Sequence, residues 1–579
     1  MKKRWFGILL ALCLLVCFAP AALAAETEPS AGPTEVYVSN TGSDENGDGS
    51  KVNPYATLAT AVERAAEEPS ATIYVMSDLE MTQSARYWSG NITITSYNSE
   101  EAPFTISRAQ TGFKPVSDLT QGGYNGAMIE VGNSGNLTLS NIILDDGGYA
   151  AYTENHEEGT IEKTPYFSQV NASGPSGGHT EIDGEKVSNF FIAQDGIITT
   201  YSENTTITLK NGTVLRNYGG MSAVRVSGGT LIMENGSKIT DTLGITRTKG
   251  KGGTGPAGAV WVQSGKVEMQ EGSSIENLNG RAIYADGNES AVTVDGTISG
   301  ITGNDKMWNG KQGVAIHLRN YSEGFLSEDG VIQEITGANA VYIHSYASFK
   351  MEQNSAIKNV KGVGIQLDGD VGGTLYMDGE ITKCTDSAIH MNANLSKGNA
   401  VPEAGSDRVL KATIGPNGDI HGNTGGYGNV TMQTYNGTLD VYGKIRDNIA
   451  AANVGIVMAG NHSGTTVTLH SGSVVTGNIT TNNGHYAGVW AGKGTFIMEE
   501  GSVVSNNIAV GTGNTPSGYA GVAVTSGNTF VMNGGTISGN ISVSDTSGVI
   551  LRTQKGTSLN DKDAVFEGKA VFARWDYHR

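Results

Sequence analysis

The sequence predicts an all-β fold, a right-handed single-stranded parallel β-helix with three sheets and an N-terminal α-helical cap. The main observation is a repeated unit of three short strand-like pieces separated by glycine and polar corners, clearest at residues 521–540 (GVAVTSGNTFVMNGGTISGN). One unit cannot cover its own apolar side, but stacked copies can. A left-handed hexapeptide helix would need a strict six-residue period, and a propeller would need regular hairpin turns. The sequence has neither.

Each unit contributes three kinds of strand. The first kind follows Ala or Gly, at 223–226, 259–262, 282–285, 315–318, 340–343, 364–367, 388–391, 455–458, 488–491, 521–524 and 548–551. The second often ends in methionine, at 230–233, 266–269, 349–351, 374–377, 495–498 and 529–532. The third holds one or two apolar residues, for example Ile239, Ile298 and Ile537. Three strands per turn predict one three-sided coil per unit.

The first 24 residues have the form of an export signal. Basic residues at positions 2–4 precede an apolar run at 6–18 and a small-x-small cleavage site at 22–24. The run is short for a membrane span. We therefore predict a signal peptide at 1–24, a linker at 25–34, and a secreted protein that is either free or associated with the cell surface, with no membrane insertion after cleavage.

Composition narrows the classes of partner. The 579-residue chain has a formal net charge of −19, which argues against nucleic acid or an anionic membrane as the main partner. Only Cys384 would remain after signal cleavage, so no internal disulfide is expected and Cys384 is interpreted as structural. We expect a monomer that needs no organic cofactor.

Residues 35–70 predict a strand, a polar loop and a helix. A helical face formed by Leu58, Ala61, Val62 and Ala65 follows Pro54. A helix at this place would cap the open end of the first coil. The β-helix itself is predicted over 71–579, interrupted by a large insert at about 148–202 that is the segment best suited to shape a binding site.

Two stretches resemble known families. Tyr37, the Gly42-Ser43-Asp44 loop and Pro54-Tyr55-Ala56-Thr57-Leu58 resemble the entry segment of secreted parallel β-helix proteins of the pectate-lyase-like superfamily. The repeat form G-x-T-[FL]-x-M-x-x-G-x-x-I-x-x-N, over about 206–551, resembles repeats of bacterial cell-surface adhesin-like proteins. The first resemblance implies the fold. It carries no activity, because the calcium-binding Asp cluster of pectate lyases and the catalytic motifs of polygalacturonases are both missing from the sequence.

Strand alternation predicts which side chains the first sheet turns outward. These positions form a ladder of large polar and aromatic residues: Arg225, Trp261, Tyr284, His317, Tyr342, Gln366 and His390. Aromatic faces stack on sugar C–H surfaces, and polar side chains bind hydroxyls. The ladder predicts binding of a polysaccharide, a host or cell-surface glycan, or another extended ligand by an adhesin-like protein. The alternative is that these side chains only stack on one another.

A second outward row suggests the enzyme alternative. Arg319, His344 and Asp368 are expected on consecutive coils, where a histidine between arginine and aspartate is able to act as a general base. These three residues are the candidate catalytic set of a polysaccharide lyase or glycoside hydrolase. The sequence favours a binding protein over an enzyme.

One segment resembles the start of a calcium loop. Asp44, Asn46 and Asp48 fall in the pattern D-x-N-x-D-G, but position twelve is Tyr55 where such loops have Glu. A Ca²⁺ site and a polar turn closed by Asx hydrogen bonds remain the two interpretations.

Overall fold

The computed structural model describes residues 34–98, 102–109, 127–148, 179–182, 185–188, 196–219, 222–244, 258–303, 313–337, 339–369, 372–393, 401–459, 464–510, 518–525, 527–542, 549–552 and 565–568. The predicted signal peptide, nearly all of the linker, and most of the insert at 148–202 lie outside these ranges. Of that insert, the described part includes an antiparallel hairpin, His179–Ile182 with Glu185–Ser188.

The chain is a parallel β-helix, as predicted. Its strands fall into three parallel ladders, and each turn of the chain adds one strand to each ladder. Parallel strands joined by crossovers wind in a right-handed sense in nearly all proteins, which is the hand that the sequence predicts.

Most strands of the first sheet begin at or beside the Ala or Gly positions of the repeats. Its strands are Ala85–Ser96 and Ile129–Ser140 (initial parts), Ile198–Thr200, Val224–Ser227, Val260–Gln263, Ser274–Asp286 (final part), Val314–Arg319, Asn339–His344, Val363–Asp368, Ile389–Asn392, Val430–Gln433, Ile456–Met458, Val489–Ala491, Val522–Thr525 and Val549–Arg552.

The second sheet contains the methionine-ended strands. It consists of Thr34–Val38, Ser70–Val75, the final parts of Ala85–Ser96 and Ile129–Ser140, Thr206–Leu209, Thr230–Met233, Lys266–Met269, Ala291–Val294, Glu323–Leu326, Ser348–Met351, Gly373–Met377, Leu410–Ile414, Thr438–Val441, Thr466–Leu469, Thr495–Met498, Thr529–Met532 and Val565–Gly568.

The third sheet has the shortest strands. They are Leu79–Met81, Thr105–Arg108, Ile143–Asp145, Val214–Arg216, Lys238–Thr240, the initial part of Ser274–Asp286, Thr297–Thr302, Val331–Ile335, Ala356–Val360, Glu380–Cys384, Asp419–His421, Lys444–Arg446, Val474–Thr476, Val503–Ser505 and Thr536–Ser538. Smaller pieces complete the coils: Leu243–Gly244, the ladder Ile449–Ala450, Ile479–Thr480, Ile508–Ala509 and Ile541–Ser542, and the pair His485–Tyr486 with Gly518–Tyr519.

The interior is built from like residues that stack along the helix axis. Phe496 and Phe530 occupy the same position on neighbouring coils, with ring centroids 5.4 Å apart and planes 12° from parallel. Met498 and Met532 are paired and buried beside them. Each such side chain contributes about 1.5–3 kcal/mol by leaving water, so the stacked core is the main source of stability.

A single short helix is present among the described residues, Leu58–Ala65. It buries the predicted face of Leu58, Ala61, Val62 and Ala65. The helix is only eight residues long, however, so the predicted helical cap is not supported as such. No helix in the described chain is both long and apolar enough to cross a membrane.

Buried asparagines connect the C-terminal coils. The Nδ2 atom of Asn423 donates to Oδ1 of Asn448 at 3.0 Å, and the same bond continues from Asn448 to Asn478, from Asn478 to Asn507, and from Asn507 to Asn540. Each Oδ1 also accepts from the backbone N–H of the preceding asparagine in the series. The asparagines that end successive repeats therefore form a continuous hydrogen-bond ladder inside the C-terminal coils.

Glycine at the start of some first-sheet strands allows the coils to approach closely. A Cβ built on Gly488 would lie 2.3 Å from the carbonyl oxygen of Gly521 on the next coil. Gly455 has the same relation to the carbonyl oxygen of Gly488, at 1.9 Å. These contacts leave no room for a side chain, which explains glycine at these two coils.

Candidate functional site

The pairing register places the predicted outward ladder in one continuous row. Arg225 pairs with Trp261, Trp261 with Tyr284, and Tyr284 with His317. The row continues through Tyr342, Gln366 and His390. Thr431 comes next, between His390 and Val457, and sequence reasoning missed it because no Ala or Gly directly precedes the strand Val430–Gln433.

The exposure of this row differs from the expectation that it faces water. Trp261, Tyr284 and His317 retain only 6%, 1% and 8% of their accessible surface. Arg225, Tyr342, Gln366 and His390 are half-buried. Ligand contact by the row stays a prediction, but the rings of its first aromatic members are not open surfaces on which a sugar could stack.

The covering of the first sheet is visible at its C-terminal end. Tyr519 and Ala523 form a buried cluster against which Tyr486 and Trp490 pack. Tyr486 lies on the segment that leads into the strand Val489–Ala491, and its ring is parallel to Trp490 at 4.7 Å. At this end, the segment that enters the strand Val489–Ala491 thus packs on the outer face of the first sheet. Alternation gives the direction of a side chain, but it contains no information about this covering.

Side chains along the row contact one another in sequence. The guanidinium of Arg225 lies 4.4 Å from the ring centroid of Trp261. The His317 ring meets Tyr284 and Tyr342 edge-on, at 4.9 Å and 4.8 Å. The alternative that these side chains stack on each other therefore describes the coils from Arg225 to Tyr342 well.

Arg281 is a member of this cluster that the sequence did not indicate. It lies in the strand Ser274–Asp286, two residues before Ile283, is 6% exposed, and its guanidinium is 5.3 Å from the Tyr284 ring centroid. Burial lowers its pKa. Burial, reinforced by the positive charges of Arg281, His344 and Arg319, also holds the pKa of His317 well below its ordinary value of 6.5, so His317 is neutral at physiological pH.

The second outward row holds two carboxylates with their own donors. Asp286 accepts from Asn320 Nδ2 at 2.7 Å and from the Tyr284 hydroxyl at 3.3 Å. Asp286 pairs in register with Arg319, and a hydrogen bond from the Arg319 side chain to Tyr284 raises the pKa of Arg319. Arg319 is thus tied to Tyr284 and to the charge of Asp286.

Asp368, which is half-buried, accepts hydrogen bonds from three neighbouring side chains. Its carboxylate accepts from the Tyr342 hydroxyl at 3.0 Å, from Asn392 Nδ2 at 3.4 Å and from Gln366 Nε2 at 3.5 Å. Burial raises its pKa, although the Tyr342 hydrogen bond and the nearby charge of His344 act in the opposite direction. Asp368 is thus a partly buried carboxylate that faces a histidine.

The three candidate catalytic residues lie on consecutive coils along one side of the first sheet, as expected. His344 and Asp368 pair directly in register. Arg319 follows Leu318, which pairs with Ile343, so Arg319 and His344 lie side by side. The Arg319 side chain interacts with Tyr284, the Arg319 backbone N–H donates to the Ser322 hydroxyl, and Nδ1 of His344 contacts the Ser345 hydroxyl. A catalytic role for Arg319, His344 and Asp368 stays a prediction.

In the loop that contains Asp44, Asn46 and Asp48, both carboxylates accept hydrogen bonds from nearby backbone or side-chain groups. Asp44 Oδ1 accepts from the backbone N–H groups of Ala56 and Thr57, and its Oδ2 accepts from the Thr57 hydroxyl. Asp48 Oδ1 accepts from the Ser50 N–H at 2.9 Å. These contacts fit the polar turn better than a calcium loop, and the described ranges contain no group of three His, Cys, Asp or Glu that could hold a metal ion.

Cys384 is fully buried, and burial raises its pKa to about 12. The thiol is therefore not ionised at neutral pH, which agrees with a structural role.

Comparisons with known proteins give only distant structural likeness. No protein-family model matches the chain, and no curated protein matches it. Among solved structures, a family 28 exopolygalacturonase from Yersinia enterocolitica is 10% identical with a TM-score of 0.26, over 93% of this chain and 79% of that one. A XylC–xylose complex is 9% identical with a TM-score of 0.28, over 90% and 86%. An exopolygalacturonase from Thermotoga maritima is 9% identical with a TM-score of 0.19, over 88% of both chains. Likeness at this level carries no argument about function.

Proposed function

We propose that this protein is a secreted or cell-surface, adhesin-like bacterial protein that binds a glycan or another extended ligand along its first sheet. The observation that carries the proposal is a run of half-buried, hydrogen-bonding side chains on five consecutive coils. Its members are Arg319, Tyr342, His344, Gln366, Asp368, His390, Asn392 and Gln433. The binding surface is therefore shifted toward the C-terminus relative to the sequence prediction, which began at Arg225.

The dimensions and chemistry of this run support an extended ligand. Five coils at ~4.8 Å spacing give a surface about 19 Å long. It offers both donors and acceptors, as a polyhydroxylated chain requires. Internal bonds, such as Asn339 Nδ2 to Gln366 Oε1 at 3.1 Å, hold the side chains in place before a ligand arrives, which lowers the entropic cost of binding.

A panel of soluble polysaccharides, read for both retention and products, tests the proposal. We expect retention of at least one polymer, and at least about tenfold weaker retention by Gln366→Ala and His390→Ala. Tyr442→Ala is the matched control, because Tyr442 is exposed beyond the end of a second-sheet strand and stacks on His470. Retention that is unchanged in both variants would refute the assigned surface.

The second candidate is a polysaccharide lyase or glycoside hydrolase. The observation in its favour is Asp368, whose raised pKa and adjacent His344 suit proton transfer. In that case new reducing ends or unsaturated products appear from one polymer of the panel, and His344→Ala and Asp368→Ala abolish them. Retention without products favours the binding protein.

The remaining proposals concern the context of the chain. The basic and apolar start of the sequence supports export, and the net charge of −19 supports a partner other than nucleic acid. We propose a monomer, with Ca²⁺ at Asp44, Asn46 and Asp48 as a proposal that the hydrogen bonds of Asp44 weaken.

A further inference from the structure

Two tyrosines outside the predicted ladder form a stacked pair at the end of first-sheet strands. Tyr321 and Tyr346 lie on neighbouring coils, with ring centroids 4.8 Å apart and planes 8° from parallel. Tyr321 keeps 54% of its surface exposed, and Tyr346 is half-buried. Tyr321 lies two residues after Arg319, and Tyr346 lies two residues after His344; Arg319 and His344 both belong to the candidate surface.

The backbone under this pair has an uncommon conformation. Asn320 and Tyr321 have φ values of 52° and 67°, and Ser345 and Tyr346 have 53° and 65°. Positive φ is costly for a large side chain and is normally left to glycine or asparagine.

Another coil of the first sheet makes the corresponding turn with glycine at both positions of positive φ. Ser227 lies in the same row as Arg319, and the residues that follow it are Gly228 and Gly229, with φ values of 70° and 71°. The turn can therefore be made with glycine at both places. Large aromatic residues at the second place, on two successive coils, are not required by the coil.

The turn holds the rings in a fixed place. Asn320 Nδ2 donates to Asp286 Oδ1 at 2.7 Å, and the Tyr321 N–H donates to the Ser345 carbonyl oxygen at 3.1 Å. The first bond ties the turn to the second outward row and the other ties it to the next coil. An aromatic surface fixed in this way loses little entropy on binding.

We infer that Tyr321 and Tyr346 form a stacking platform for a pyranose chain whose ring substituents are equatorial. Such a ring carries its C–H bonds axially, so its faces are apolar and match the electron-rich face of an aromatic ring. The inference rests on the proposed glycan-binding function, and it adds the class of sugar and the residues that hold it.

Xylohexaose, cellohexaose and an oligogalacturonate hexamer serve as probes, with Kd measured by calorimetry for the full chain. We expect the wild type to bind xylohexaose or cellohexaose, and Tyr321→Gly and Tyr346→Gly to bind about tenfold or more weakly. Glycine suits the turn, so these variants should fold, and Tyr321→Asn provides a second variant that tolerates positive φ. Tyr442→Gly is the control and should bind as the wild type does.

Each other outcome counts against the inference in a distinguishable way. Equal binding by wild type and the glycine variants overturns the platform but leaves glycan binding intact. Galacturonate carries an axial oxygen at C4, so binding of only the oligogalacturonate overturns the assignment to an equatorially substituted chain. If the wild type binds none of the probes and retains no polymer in the panel, both the proposed function and the platform fail.

Discussion

The Nδ2 atom of Asn478 donates to Oδ1 of Asn507 on the next coil at 3.0 Å, and the same Nδ2 donates to the carbonyl oxygen of Ile445 at 3.0 Å. The Nδ2 atoms of Asn423, Asn448 and Asn507 likewise donate both to the coil before and to the coil after. Because these groups are buried, losing one member leaves several donors and acceptors unsatisfied.

We predict that Asn478→Ala lowers the free energy of unfolding of the C-terminal coils by about 2–4 kcal/mol. The substitution removes the acceptor for the backbone N–H and Nδ2 of Asn448 and the donor to Ile445. Hydrogen exchange of the strands around Val474–Thr476 measures the effect locally, as suits a solenoid whose coils contact only neighbours. Asn482→Ala, at an exposed position, should change little. Equal exchange in the two variants would show that the ladder adds no stability.

A methyl group at Gly488 should be poorly tolerated. Its Cβ would meet the Gly521 carbonyl oxygen at 2.3 Å, so Gly488→Ala must push two coils apart. We expect a loss of about 1–3 kcal/mol, seen as a lower midpoint in thermal unfolding. Gly426→Ala is the control, because the nearest atom to its Cβ is Asp386 Oδ1 at 3.9 Å. A midpoint for Gly488→Ala that matches this control would contradict the close approach of the coils.

His470 should stabilise the fold at low pH and lose this effect as the pH rises. Its Nε2 and Nδ1 atoms lie 2.8 Å from Asp440 Oδ1 and Glu499 Oε2, and its ring stacks on Tyr442. Burial opposes protonation, but the two carboxylates outweigh it and raise the pKa above 6.5. A raised histidine pKa stabilises the fold fully below the unfolded value and loses that effect as pH rises through the folded value.

The comparison of wild type with His470→Gln at pH 5.5 and pH 8.5 measures this dependence. The variant should be less stable than the wild type at the lower pH, by no more than about 1 kcal/mol because the partners are half-exposed. The difference should shrink at the higher pH. A difference that grows with pH would reverse the assigned sign.

His317 should make the fold less stable as the pH falls, which is the opposite of the effect of His470. Burial, with the charges of Arg281, His344 and Arg319, lowers its folded pKa well below 6.5, so the unfolded chain binds a proton that the folded chain does not. Stability is then lost as pH falls below about 6.5. Replacing His317 by Gln should reduce this loss between pH 6.5 and 5, measured as the slope of the unfolding midpoint against pH. An unchanged slope would mean that His317 is not buried in the neutral form.

The coil architecture could be predicted from the sequence because its signals are local. Alternation in segments such as 223–226 and 259–262 gives the inward residues, and the recurrence of the unit gives the register that pairs Arg225 with Trp261. The helical face of Leu58, Ala61, Val62 and Ala65 was equally readable, since its spacing repeats within eight residues.

The candidate site could be predicted only in part because strand alternation gives the direction of a side chain but not its exposure. Trp261 and His317 point outward as expected, yet they are buried, and nothing in their own strands signals this. Arg281 lies within the strand Ser274–Asp286 and pairs with Val314, but the sequence prediction began this first-sheet strand at residue 282 and so left Arg281 out. The Tyr321–Tyr346 pair was missed since a stack across two coils depends on a turn conformation that tyrosine rarely adopts.

The asparagine ladder also bears on how such a rod can change its length. Asn478 and Asn507 are separated by 29 residues, and the intervening chain makes one complete turn that ends with the same donors and acceptors with which it began. A copy of that turn inserted beside the original would find matching partners on both sides. Gene duplication, or a designer, is thus able to lengthen the C-terminal half by whole turns without inventing a new contact.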